Sequence, residues 1–223
     1  MSSPLIIGHR GASAVAPENT LAAFEAAIAA GADGIEFDVR FAGDGVPVVI
    51  HDETLWRTSR VRRRVAEMTS NELSKFDVPS LVQLLELFES NDLILYLEMK
   101  EVEVAEECCR VIEQYRFKDR VIFECFDHSA LKTVKNIDPT FKVAALFQPP
   151  TSGIVKCALA VGAEEIALHH RLVTTSVMES AKQAGLRVVV WTVDDPAWIE
   201  RARKLEVHAL ITNDPAALIQ LNR

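Results

Sequence analysis

LIIGHRGASAVAPENTLAAFEAAIAAGADGIEFDVRFAGDGVPVVIHDETLWRTS, residues 5–59, is the stretch on which the fold turns. It opens with a short apolar, β-branched run over 5–10 that ends in His9 and Arg10. A helical pattern follows over 20–30, with Thr20 as candidate N-cap and Gly31 as candidate stop. Strand patterns then cover 34–40 and 46–51. Strand, helix and strand in that order make a parallel βαβ unit. Only FAGDG separates the second strand from the third. Parallel strands need a crossover of roughly a dozen residues, so these two are expected as an antiparallel hairpin. A turn centred between Gly43 and Asp44 would set Glu36 roughly opposite His51.

Working outward, the same alternation continues to the end of the chain. Further strand patterns lie at 93–100, 121–126, 141–147, 164–170, 186–193 and 208–212. Further helical patterns lie at 81–90, 102–115, 128–137, 153–161, 174–184, 196–206 and 215–222, with Thr174 as N-cap and Gly185 as stop. Nine strands compete for the eight places of a closed (β/α)8 barrel. The hairpin's second strand is the one without a crossover, so it is the expected appendage. The reading is an α/β chain forming one TIM-barrel domain over 1–223. Residues 52–80 carry weak periodicity and are expected as a short cap-like insertion after the second barrel strand.

Hydrophobic residues make up 49% of the 223 positions, enough for a sizeable core. Thirty-two acids against 24 bases leave a formal charge of −8, which argues against a nucleic-acid partner. It leaves open an anionic substrate held in a local positive pocket. MSSPLIIGHR lacks a basic segment followed by an apolar run of roughly 7–15 residues, and no run approaches the roughly 20 residues of a membrane span. The expectation is a cytoplasmic protein without stable membrane association. Cys108, Cys109, Cys125 and Cys157 show no Cys-x-x-Cys spacing, so buried free thiols are expected rather than a zinc or disulfide framework.

The chemistry lies at the strand ends. Glu36 and Asp38 are two apart on one strand and leave the same face; Glu98 and Lys100 repeat the relation. Carboxylates are costly to bury unless paired or metal-bound, and three at strand ends suit a hard cation such as Mg²⁺ or Ca²⁺. His9 and His51 end strands next to Arg10 and Asp52. Two near-neutral imidazoles can serve as base and acid for phosphodiester cleavage, and Arg10 offers a fork for phosphate oxygens. Gly8 and Gly11 flank the His-Arg pair and are expected to let the backbone approach a ligand.

These residues resemble the glycerophosphodiester phosphodiesterase family. GHRG (8–11), APENT (16–20), GADGIEFDVR (31–40), DGVPVVIHDETLWRTS (44–59), LEMK (97–100), GLRVVVWTVDD (185–195) and ALITNDP (209–215) follow the family's order. The resemblance implies a phospholipase-C-like barrel, with Glu36, Asp38 and Glu98 as ligands of one divalent cation. It implies His9 and His51 as the acid/base pair and Arg10 and Lys100 as phosphate contacts. Trp191 would line the pocket, Glu18 and Asn19 would sit in the PENT turn, with Asn19 shaping the site, and Asp52 would orient His51. The implied reaction cleaves a glycerophosphodiester, such as glycerophosphocholine or glycerophosphoethanolamine, to glycerol 3-phosphate and an alcohol. The implied route is attack by the glycerol 2-hydroxyl, giving a cyclic phosphate that water opens, with the cation as Lewis acid and template.

The chain departs from the family pattern in places. KFDVPSLVQLL (75–85) arrives early, so the cap is trimmed. Glu124 and Tyr96 replace smaller polar residues. Glu124 either projects into the pocket, towards a choline or ethanolamine head group, or is an exposed or arginine-paired carboxylate. Asp194 stands where asparagine is frequent, with little consequence expected. WRTSRVRRR (56–64) holds Arg57, Arg60, Arg62, Arg63 and Arg64, read as a solvated loop rather than a steering or lipid-contacting patch. One of His169 and His170 is expected at the barrel mouth, and Phe126 along the pocket. His128 and His208 read as structural.

Three other readings compete. A lysophospholipase D-like enzyme would act on a diester that keeps an acyl chain. A non-catalytic barrel would only bind phospho-ligands, but none of His9, Glu36, Asp38, His51 or Glu98 is missing. An aldolase or isomerase on the same fold would want a Schiff-base lysine or an acid/base carboxylate. Oligomeric state is not legible.

Overall fold

The computed structural model describes residues 3–222; the outermost positions of the expected 1–223 domain, 1–2 and 223, lie outside that range. Among the described residues nine strands form: β1 Leu5–His9, β2 Gly34–Phe41, β3 Pro47–Val49, β4 Ile94–Met99, β5 Val121–Cys125, β6 Lys142–Phe147, β7 Glu165–His169, β8 Arg187–Trp191 and β9 Ala209–Thr212. Eight pair in parallel, and β1 pairs with both β2 and β9, closing the barrel. Only β3 stays outside, antiparallel to β2. The helices are α1 Leu21–Ala30, α2 Trp56–Ser59, α3 Ser70–Leu73, α4 Leu81–Leu87, α5 Ala105–Gln114, α6 His128–Ile137, α7 Ile154–Ala160, α8 Thr175–Gln183, α9 Trp198–Leu205 and α10 Pro215–Asn222. Thr20 caps α1 by accepting from the Ala23 N–H, and Gly31 ends it at φ +81°. Thr174 caps α8 in the same way.

Period-two alternation sorts each strand. Ile35, Phe37 and Val39 of β2, with Leu95, Leu97 and Met99 of β4, pack outward among Phe24, Leu84, Leu85 and Phe88. The inward set of Ile7, Tyr96, Ile122, Ala144, Ala167, Val189 and Ile211 fills the barrel. Parallel strands covered on both faces read as near-continuous apolar runs, which is why the strands stand out in the sequence. The inward polar residues of the lower barrel are paired. Tyr96 Oη donates to Glu165 Oε2 at 3.0 Å, and Arg187 Nε donates to Glu165 Oε1 at 2.9 Å.

The hairpin departs from its expected register by one residue. Val39 faces Val49, Arg40 faces Val48, and the Ala42 N–H donates to Val46 O. The loop has three residues, 43–45, with Gly45 at φ +77°, so the turn centres on Asp44. Glu36 is therefore not the position opposite His51. Residues 52–80 hold α2, α3 and two 3-10 turns, packed on Val48, Ile50, Leu55, Val65, Met68, Leu73 and Val78. Weak periodicity is what such short pieces produce.

Gly8 and Gly11 serve packing, not ligand approach. A Cβ on Gly11, already at φ +84°, would lie 2.6 Å from Ala23 backbone atoms; one on Gly8 would lie 2.9 Å from Gly11 O and 3.2 Å from Ala27 Cβ. They seat the His9–Arg10 turn against α1. Cys108, Cys109 and Cys125 are buried free thiols, but Cys157 is exposed on α7, contrary to expectation. Among the described residues no helix is long and apolar enough to cross a membrane.

Candidate active site

The C-terminal ends of β1, β2, β4, β5 and β8 surround a cavity of about 140 Å³. His9, Arg10, Glu36, His51, Glu98, Lys100 and Glu124 form its polar side; Phe126, Leu146, Trp191 and Ile211 form its apolar side. A larger cleft of about 610 Å³, lined by Leu5, Met178, Arg187 and His208, opens at the other end of the strands. It holds no facing pair of histidines, and strand C-termini are where barrel chemistry gathers.

Glu36, Asp38 and Glu98 bring ligand atoms within 4.8 Å of one another. Glu36 is 3% exposed and Asp38 is fully buried. Glu36 Oε1 and Asp38 Oδ1 have no hydrogen-bond donor. Burial, reinforced by Asp38 and Glu98, pushes the Glu36 carboxyl well above its usual range. Burial and Asp38 raise Glu98 to about 7. Burial opposes ionisation of Asp38 too, but Arg10, Lys100, His51 and Asn19 hold it below the usual range. Three carboxylates in one buried cluster, two of them with an oxygen that no donor reaches, fit a hard divalent cation. Two cations flank it: Lys100 Nζ lies 2.5 Å from Glu98 Oε1 and 3.4 Å from Asp38 Oδ1, and Arg10 Nε lies 3.1 Å from Asp38 Oδ2.

The turn after β1 wraps this cluster. Arg10 adopts φ +56°, and its N–H donates to Glu36 Oε2 at 3.0 Å. Its Nη1 donates to Glu18 at 2.7 Å. Asn19, at φ +57° and buried, donates from Nδ2 to Asp38 Oδ2 at 2.7 Å. Asparagine tolerates this left-handed backbone better than most residues.

The histidines have different partners. His9 Nδ1 lies 2.7 Å from Asn213 Oδ1, and its Nε2 lies 3.8 Å from Glu36 Oε2. His51 Nδ1 lies 2.6 Å from Asp52 Oδ1. Burial, with Arg10 alongside, pulls His9 below its usual pKa. Burial also lowers His51, against the opposing pull of Asp38 and Asp52. Burial disfavours ionised Asp52, but hydrogen bonds from Arg57 and His51 prevail and bring it to about 2.

All five arginines of the run are exposed, as a solvated loop requires, but Arg57 is also paired. It donates to both oxygens of Glu18, at 2.6 and 2.7 Å, and to Asp52 Oδ2 at 2.6 Å. The insertion is thereby tied to the PENT turn and to His51. Arg63 pairs with Glu72 and Arg64 with Glu53; Arg60 and Arg62 stack on Trp56. Glu124 is neither exposed nor arginine-paired. It is 1% exposed, and Oε1 lacks a donor. Burial and then Glu36, Glu98 and Glu165 push its carboxyl well above the usual range.

Trp191 Nε1 donates to Ala167 O, and its ring meets Phe126 at 5.7 Å and His169 at 5.1 Å, both edge-on. His169 thus packs against the cavity-lining Trp191 without lining the cavity itself, while His170 turns to Thr192 O. His128 bonds Leu146 O.

Asn213, beside His9, and Gln148, which lines the cavity after β6, escape the sequence reading. Asn213 lies within ALITNDP and carries no chemistry of its own type; its place just past the barrel strand next to β1 is the available signal. Asp194 also departs from expectation. Its carboxylate accepts from the Thr212 hydroxyl, the Asn213 N–H and Asn213 Nδ2.

Known proteins share this arrangement of chain. Residues 9–217 match the model of the glycerophosphoryl diester phosphodiesterase family. A glycerophosphodiester phosphodiesterase of Caldanaerobacter subterraneus subsp. tengcongensis is 36% identical, with 98% of each chain covered. The glycerophosphodiester phosphodiesterase structure from Thermotoga maritima is 28% identical, with a TM-score of 0.87 over 99% of each chain. That from Agrobacterium tumefaciens strain C58 is also 28% identical, with a TM-score of 0.82 over 99% of this chain and all of the other. A family match over nearly the whole chain, on the same closed barrel, establishes that the chain belongs to the glycerophosphoryl diester phosphodiesterase family of phosphoric diester hydrolases.

Proposed function

We propose that this protein is a divalent-cation-dependent glycerophosphodiester phosphodiesterase. It cleaves small diesters such as glycerophosphocholine and glycerophosphoethanolamine to glycerol 3-phosphate and the free alcohol. The observation that carries the reading is one cavity lined by two histidines, Arg10, Lys100, Glu36 and Glu98, with Asp38 buried beside those two carboxylates.

Glu36, Asp38 and Glu98 would hold the cation, Mg²⁺ or Ca²⁺, which when bound supplies Lewis-acid charge for phosphate oxygens. Arg10 and Lys100 add positive charge at the same place, and the carboxylates beside them fix their direction. In the first step one histidine takes the proton of the glycerol 2-hydroxyl as its oxygen attacks phosphorus. The other gives a proton to the departing alcohol, leaving a cyclic phosphate. In the second step the roles reverse: water is deprotonated, attacks phosphorus, and the 2-oxygen is protonated. Asp52 orients His51 through Nδ1, and Asn19 holds Asp38. Trp191 and Phe126 offer an apolar wall to the carbon skeleton. A cavity of about 140 Å³ encloses a small group, so the head group extends outward.

A second reading, lysophospholipase D-like cleavage, is favoured by one observation. Phe126 also borders an open cleft of about 650 Å³ with Ala160 and Val161, where an acyl chain would lie.

The test is release of glycerol 3-phosphate from both small diesters with Mg²⁺, Ca²⁺ or chelator. Cation-dependent release is expected. No release from folded protein with any cation would overturn the proposal, and turnover of lysophosphatidylcholine alone would select the second reading.

A further inference from the structure

We propose that Asp194 and Asn213 are positioning residues that lock His9 in one ring orientation and one tautomer, with the proton on Nδ1 and Nε2 bare towards the acidic cluster. The role of His9 rests on the function proposed above; the geometry of the lock does not.

The chain of contacts runs through three strand ends. Asp194 follows β8, Asn213 follows β9, and His9 ends β1. Asp194 Oδ1 accepts from the Asn213 N–H at 2.8 Å and from the Thr212 hydroxyl at 3.0 Å. Asp194 Oδ2 accepts from Asn213 Nδ2 at 2.7 Å. Asn213 Oδ1 then faces His9 Nδ1 at 2.7 Å and the Ser13 hydroxyl at 2.9 Å.

An asparagine amide has nearly the same shape in both flipped states, and only its partners select one. A carboxylate offers acceptors only, so Asp194 admits Nδ2 and rejects Oδ1. The flip of Asn213 is thereby decided on the side away from the histidine. Its oxygen must then point at His9, and an amide oxygen only accepts. His9 Nδ1 must carry the proton, and in the neutral ring Nε2 keeps its lone pair. With an amide side chain at position 194, its oxygen would keep the Asn213 N–H and its Nδ2 would face the Asn213 amide, which calls for the opposite flip and turns Asn213 Nδ2 towards His9. The acid at 194, a departure from the family's frequent residue, selects the flip that turns oxygen to His9.

Asp194 also clamps the turn after β9, so the test must separate clamping from orientation. Three proteins are compared: wild type, Asp194→Asn, and the swap Asp194→Asn with Asn213→Asp. In the swap, the amide introduced at position 194 donates to the carboxylate introduced at position 213, and that carboxylate accepts from His9 Nδ1. The ring nitrogens of His9 are read by long-range ¹H–¹⁵N NMR in Mg²⁺ buffer at about pH 8, where the imidazole is neutral. Melting temperature, kcat and KM on glycerophosphocholine are measured alongside.

Wild type is expected to hold a single Nδ1–H tautomer. Asp194→Asn should shift His9 towards the Nε2–H tautomer and lose about tenfold or more in kcat, within the usual worth of a positioned acid or base, with KM nearly unchanged. The swap should restore both the tautomer and most of kcat. An unmixed Nδ1–H tautomer in Asp194→Asn with unchanged kcat overturns the proposal. So does a loss of kcat that follows melting temperature and is not rescued by the swap. If wild type turns over no glycerophosphodiester, the proposed function fails, and the tautomer comparison alone still decides the lock.

Discussion

Asn19 grips Asp38 at two points: Nδ2 donates to the carboxylate at 2.7 Å, and Oδ1 accepts the Asp38 backbone N–H at 3.3 Å. A loop residue thus holds a strand carboxylate in the acidic cluster. Replacing Asn19 by glycine keeps the left-handed backbone and removes only the side chain. The loss leaves buried groups without partners, costing about 1–3 kcal/mol. For a chain of this size that lowers Tm by about 2–4 °C per kcal/mol. Outer groups of this kind are worth about 10–100-fold in metal affinity, so calorimetric Mg²⁺ titration should weaken to that extent. An unchanged titration would free Asp38 from dependence on Asn19.

His9→Ala and His51→Ala should each remove turnover by about 10²–10⁴-fold. Circular dichroism and melting should stay near wild type, because both rings line a cavity rather than the apolar core. Retained turnover in either variant would remove that histidine from the acid/base pair.

Glu36→Gln should raise the Mg²⁺ concentration for half-activation by at least about tenfold, because one charged ligand becomes a neutral one. An unchanged activation curve would take Glu36 off the ligand set.

The proposed cation requirement should also shape stability against pH. Glu98 sits at about 7 in the folded chain against an ordinary value of 4.5. A carboxyl raised on folding stabilises the fold below its unfolded pKa, and that stability is lost as pH rises through the folded value. Chelated protein should therefore lose stability between about pH 4.5 and 7. Ligands must deprotonate to bind metal, so added Mg²⁺ should raise Tm little at about pH 5 and clearly at about pH 8. A pH-independent increment would contradict a protonated Glu98.

Glu124 has the same sign. Its carboxyl is pushed well above the usual range by burial and by Glu36, Glu98 and Glu165. Glutamine copies the protonated form and cannot ionise. In chelator, Glu124→Gln should melt with wild type at about pH 5 and above it at about pH 9. Parallel curves would show that Glu124 carries no raised pKa.

Strand positions are legible because inward and outward residues obey a period of two, and β-branched runs mark both. Helix limits follow from Thr20, Gly31 and Thr174, whose side chains or backbone act locally. The hairpin register is not legible to the residue. Gly45 at φ +77° lengthens the loop to three residues, and FAGDG allows either turn. The place of Gly8 and Gly11 beside the His-Arg pair is legible, but their reason is not, since α1 is what presses on them. Arg57 looks like one charge in a run; only the folded insertion sets it against Glu18 and Asp52.

By itself the sequence determined which side chains share a face. Alternation along a strand sends Glu36 with Asp38, and Glu98 with Lys100, into the barrel, because successive Cβ atoms leave opposite faces. Tertiary structure alone decided what meets them. Closure of β1 onto both β2 and β9 carries Asn213 across 204 positions to His9, and it buries Glu124 beside the acidic cluster. Such contacts depend on strand tilt and on the order of closure around the barrel, and no local run of residues encodes either.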